Sequence, residues 1–263
     1  MPDFSRFYAH KGNPPTQVAP ESHFNEPIEH YDGRAAGESR LWGDASDDVQ
    51  EHAIEAVVAA SALFGLPQRE TAHLLAIARV ASGLNPDAAD PESSRAGLAQ
   101  FDDATAERHG LTGEARFDLE ANAEALVRAF IEAKKLSQRR GGSAGGRELE
   151  TLIYKTIHDG PEGDHGGLEI SRREVMPLVD QFQATLRGGR GGESGGGRGG
   201  GAGQGPMRSG RGGGRGQAEG GGAGPMRSGS WGNAPPQQRE QREQPARRRG
   251  GRRRSGRSTR GGR

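Results

Sequence analysis

Residues 73–111 read HLLAIARVASGLNPDAADPESSRAGLAQFDDATAERHGL, and the way this stretch is parsed decides the fold. Leu74, Ile77, Ala78 and Ala81 recur at intervals of three and four, the spacing of one helix face. The pattern stops after Ser82, where a short polar loop begins. A second, shorter helix is expected in DATAERHG (103–110), closed by Gly110.

Working outward, the same period continues on both sides. Pro67 suits the first turn of the helix that ends at Ser82, giving a span of 67–82. Upstream, residues 47–66 place Val49, Ile54, Val57, Val58 and Ser61 near one face. Asp47 with Gln50 resembles a capping box there, and Gly65 is the stop. Downstream, residues 118–136 align Leu119, Ala123, Leu126, Val127, Phe130 and Ile131. Residues 147–161 align Leu149, Leu152, Ile153 and Ile157 before a Gly160-Pro161 break. Residues 171–186 open with Ser171-x-x-Glu174, a second capping-box pattern, and bury Val175, Leu178, Val179, Phe182 and Leu186. No segment of any length alternates as a strand does. The fold class is therefore all-α, with one core over residues 47–186, a span of about 140 residues.

The flanks are of another character. Residues 1–46 are rich in Pro, Gly, His and charge and carry no sustained period, so they read as a poorly ordered arm. Phe4, Phe7, Tyr8 and Trp42 are its candidate contacts with the body. Residues 187–263 hold 28 Gly in 77 positions and repeat GPMRSG at 205–210 and 224–229. Such a segment cannot bury enough apolar surface to offset its ordering entropy, which predicts a disordered tail.

Net charge, +1 for the whole chain, conceals a split. The tail has 18 Arg against 4 Glu, a net of +14, and residues 1–186 have 18 Lys and Arg against 31 Asp and Glu, a net of −13. An acidic body thus carries a basic tail. Cysteine is absent, which excludes disulfides, thiolate metal sites and cysteine nucleophiles. The eight His are scattered, and neither His158 nor His165 has a partner at metal-ligand spacing, so no metal and no cofactor are expected. The first residues lack an apolar signal core, and no run approaches the length of a membrane span. The expectation is a chain that stays cytoplasmic until released, rides in a virion, or leaves by a route other than Sec.

The 73–111 segment resembles the soluble lytic transglycosylase and goose-type lysozyme superfamily, and phage-type members in particular. Ser82, Asn85-Pro86, Gly97-Leu98, Gln100 and Thr105-Ala106 match that family's motif in order and spacing. Residues 152–178, LIYKTIHDGPEGDHGGLEISRREVMPL, resemble the C-terminal part of phage-type members. The resemblance covers roughly 48–186 and implies a lysozyme-like helical domain acting on the β-1,4 links of peptidoglycan glycan strands.

It also implies a general acid, a Glu at the end of the helix before Ser82. A helix end in partly apolar surroundings suits that role, because desolvation raises the carboxyl's pKa and keeps its proton on near neutrality. In this chain the position is Ala81, whose methyl has no proton to give, and Ser82 is far too weak an acid to replace it. General acid catalysis contributes roughly 10²–10⁴-fold, so the chain as written reads as impaired in cleavage. Glu92, in the following loop, is the one displaced acid considered, although a solvated carboxylate there would be ionised. The remaining alternative is a core-facing Ala81 in a frame that matches by coincidence.

Four further residues are carried over as saccharide contacts. Gln100 has an amide that both donates to and accepts from an acetamido group, although such a side chain also bridges loops. Ser82 lies at the helix end, where a hydroxyl often bonds only backbone. Aligned on Gly160, His158 falls at the Asn of the family's Tyr-Asn-Ala-Gly segment and Ile157 at its Tyr, so the Tyr is missing in that register, while Tyr154 stands one helical turn earlier. A plain helix C-terminus with Gly160 as its stop is the competing reading of that segment.

The tail resembles RGG-box segments. Arg247, Arg248, Arg249, Arg252, Arg253 and Arg254 are its densest cations, with guanidinium forks suited to phosphates and little expected sequence specificity. Only Trp231 supplies an aromatic, which weakens an RNA-specific reading. Nucleic acid, an anionic cell-envelope polymer and the chain's own acidic body are the candidate partners.

Overall fold

The computed structural model describes residues 2–141 and 144–188. The basic tail, including Arg247, Arg248, Arg249, Arg252, Arg253 and Arg254, lies outside the described residues. Within them the chain is all-α, and its only extended pairings are isolated bridges from Ala96 to Ala89 and Phe101.

The helices are α1 (Asp47–Leu63), α2 (Gln68–Ser82), α3 (Asp103–Arg108), α4 (Leu119–Arg140), α5 (Gly146–Asp159), α6 (Gly167–Ile170) and α7 (Met176–Gly188). The second of them is central. It packs on α1, α4 and α7, and nearly every residue from Thr71 to Ser82 is buried. A helix enclosed on all sides shows only part of its burial as a stripe, which is why His73 is buried as fully as Leu74. Its exposed start is tied down by Arg69, which reaches Glu150 of α5 through two 2.7 Å bonds and Asp180 of α7 at 2.7 Å.

Three local expectations are corrected. Asp47 and Gln50 form no capping box: Ser46 caps α1 by accepting from Val49 N, and Gln50 is buried. The Gln50 amide instead serves the arm, accepting from Ala9 N at 2.6 Å and donating to Ala9 O at 3.1 Å. Pro67 sits at the N-cap of α2, just outside the first turn. Ser171 does not start a helix. The chain has already turned helical at Gly167, after Gly166 with φ +100°, and Ser171–Val175 is a π-helical turn leading into α7. Ser171 is therefore wholly buried in a helix interior.

Residues 2–46 are irregular, with only two 3₁₀ turns, Ser5–Phe7 and His23–Asn25, yet they are fixed to the body. Phe4 and Phe7 enter the core, where the Phe7 ring stacks on Phe182 with centroids 3.8 Å apart. Trp42 Nε1 donates to Val80 O at 2.9 Å, and half-buried Arg79 donates to Phe7 O and Tyr8 O. The arm therefore belongs to the same folded body as residues 47–188. No described helix is long and apolar enough to cross a membrane.

Candidate functional site

The loop after α2 is built before the site can be. Gly83 ends the helix in the left-handed conformation at φ +63°, and a Cβ there would stand 2.6 Å from Gly43. Asn85 is buried and donates to Ser39 O and Leu41 O at 2.9 and 2.7 Å. Asp87, also buried, receives Arg34, Arg40 and the Gly37 amide. Arm and loop thus hold each other, and residues 83–101 fold back across the end of α2.

That folding leaves a small, partly open cavity of about 40 Å³ between α2, the loop and α5. The volume is enough for about three waters and too small for a pyranose ring. Four residues singled out from sequence line it together: Ala81 of α2, Gln100 of the loop, and Tyr154 and His158 of α5. Ser82 and Glu92 do not line it. Ser82 is wholly buried and its hydroxyl donates to Ala78 O at 3.1 Å, a bond within its own helix. Glu92 is exposed on the outer loop, where its amide donates to Asp90 Oδ1.

Each lining group has a distinct chemical state. Gln100 adopts φ +52° and spends its amide N–H on Ala88 O and Gly97 O, both at 2.9 Å, so it bridges the loop while facing the cavity. Tyr154 is 1% exposed, and its hydroxyl has no hydrogen-bond partner among the described residues. Burial, with Glu174 and Asp159 adding negative charge nearby, pushes its phenol well above the ordinary range. The ring stacks on His158 at 5.6 Å. His158 Nδ1 lies 2.5 Å from Asp159 Oδ1. Burial still pushes the imidazole below its ordinary value, against the opposing pull of Asp159, so His158 is neutral at pH 7.

Sequence reasoning missed Arg95, Asp102 and Asp159. Arg95 lines the cavity and donates to His158 O at 3.1 Å, satisfying a carbonyl at the C-terminal end of α5. Asp102 stands at the rim and caps α3 by accepting from Thr105 N at 2.7 Å. Burial alone would raise that carboxyl, but the bonds from Thr105 and the charges of Arg95 and Arg116 hold it below the usual range. Asp159 turns away from the cavity. Its other oxygen accepts from Gly167 N at 3.1 Å, and a Cβ on Gly167 would stand 2.5 Å from it. Only the α3 cap had a local signal, an Asp just ahead of a helical run. The reach of Arg95 to α5 is a tertiary contact with no trace in sequence.

No group on this wall is poised to protonate a leaving oxygen. Asp102 is ionised, His158 is neutral, the Tyr154 phenol is a weaker acid than usual, and Ala81 has no functional group. The arrangement suits binding rather than proton transfer. Among the described residues no group of His, Asp and Glu is placed to hold a metal ion. No family model matches the chain, and no curated protein matches it significantly.

Proposed function

We propose that the chain is a lysozyme-like domain that binds the β-1,4-linked amino-sugar strands of peptidoglycan and has lost efficient cleavage at Ala81. One observation carries this reading. Ala81 of α2, Gln100 of the following loop, and Tyr154 and His158 of α5 come from three separate stretches of the chain and line one cavity. Their convergence supports the reading. The glycan would lie across the mouth of the cavity, with a substituent rather than a ring entering it. No cofactor is called for.

Co-sedimentation of the full chain with purified peptidoglycan tests the reading. Binding is expected, and Ala81→Leu, which fills the cavity with an apolar side chain, is expected to weaken it about tenfold, roughly the loss of one good apolar contact. A chain that stays wholly in the supernatant would contradict the proposal.

The split of charge, +14 in the tail against −13 in the body, supports a second reading: a polyanion-binding protein whose tail carries the affinity. Each phosphate contact then adds close to one unit to the salt dependence of binding, so affinity for RNA or DNA should fall steeply with salt and vanish on removing residues 189–263. Nucleic-acid binding that survives this removal would count against it.

A further inference from the structure

We infer that the cavity beside Ala81 is a binding site for a small monocarboxylate of the size of acetate. The inference goes beyond the glycan reading, since it holds whether or not a saccharide crosses the mouth. It starts from two polar groups whose bonding is incomplete. The Tyr154 hydroxyl is buried and has no partner among the described residues. Leaving a buried hydroxyl without a hydrogen bond is unfavourable, so an occupant that bonds it is favoured. Arg95 uses one guanidinium nitrogen on His158 O and makes no ion pair among the described residues, although it lines the same cavity. A guanidinium fork with N–H groups to spare, beside a phenol held in its protonated form, matches the acceptor oxygens of a carboxylate.

The rest of the wall sets size and shape. Ile77, Ala81 and Ala99 give an apolar side suited to a methyl, and the volume excludes anything much larger. One anion already stands at the rim: Asp102, whose Oδ1 accepts from Thr105 N at the start of α3 and whose carboxylate feels the charge of Arg95. Asp159 is turned toward Gly167 and His158.

The test is a titration of the ¹⁵N-labelled full chain with sodium acetate at pH 7, followed by amide chemical shifts, with sodium chloride holding ionic strength constant. Saturable shifts confined to the neighbourhood of Arg95, Gln100, Tyr154 and His158 are expected, with a millimolar dissociation constant for so small a ligand. Arg95→Gln and Ala81→Leu should each abolish saturation, and Tyr154→Phe should weaken it several-fold, in chains whose remaining spectra match the parent. Acetamide, equal in size and uncharged, should bind at least tenfold more weakly. Non-saturating shifts, shifts reproduced by chloride, or equal binding of acetamide would overturn the inference. Failure of this titration leaves the glycan reading untouched, and failure of co-sedimentation leaves this one untouched.

Discussion

Asp87 and Arg34 form a two-pronged ion pair, Nη2 to Oδ1 at 2.7 Å and Nη1 to Oδ2 at 3.2 Å, with the carboxylate wholly buried. Arg40 Nη1 adds a third contact at 3.3 Å while its guanidinium lies 3.7 Å over the Phe117 ring. The pair joins the arm to the loop that shapes the cavity, so the arm is a structural part of the site.

Removing the carboxylate should therefore be severe. Asp87→Ala leaves the buried Arg40 and the half-buried Arg34 without their anion, a change that costs about 3–5 kcal/mol. Denaturant unfolding of the variant should show that loss. A loss below about 1 kcal/mol would mean that the arm is not held as described.

Phe7 makes the same point from the apolar side. Phe7→Ala removes the ring stacked on Phe182 and should destabilise the fold by about 3–5 kcal/mol. For the same reason residues 47–188 without the arm should unfold more readily than residues 2–188, a comparison open to thermal denaturation.

Stability should also fall in acid because of His73. Its ring is fully buried edge-on to Phe130, neither nitrogen has a hydrogen-bond partner among the described residues, and burial with nearby Arg69 lowers its pKa to about 3. Between about pH 6.5 and pH 3 the unfolded chain holds a proton on this residue that the folded chain does not. The associated stability is complete above that window and declines as pH falls, by about 1.4 kcal/mol per pH unit at its steepest. His73→Leu should flatten the pH dependence measured by urea unfolding. An unchanged slope would assign it to other groups.

How much of this was legible in sequence depends on the range of the interactions involved. The helices announced themselves, since apolar residues at three-and-four spacing and stops such as Gly65, Gly110 and Gly160 act locally. The meeting of Ala81 with Gln100, Tyr154 and His158 has no local signal, because α2, the loop and α5 come together only in the folded chain. What escaped were side chains that serve distant backbone. Gln50 looked like a cap and instead holds Ala9, and Asn85 reaches Ser39 and Leu41. Ser171-x-x-Glu174 looked like a helix start because a capping pattern does not reveal whether the chain before it is already helical.

If Ala81 stands at the acid position of a saccharide-cleaving frame, as proposed, a carboxyl restored there should cleave the glycan. Ala81→Glu tests it most directly, with release of soluble muropeptides from purified peptidoglycan as the readout. A gain of about 10²–10⁴-fold over the parent is expected, the range of general acid catalysis, from a carboxyl placed beside Ile77, Tyr154 and His158. A folded variant that binds peptidoglycan and releases no more than the parent would contradict it.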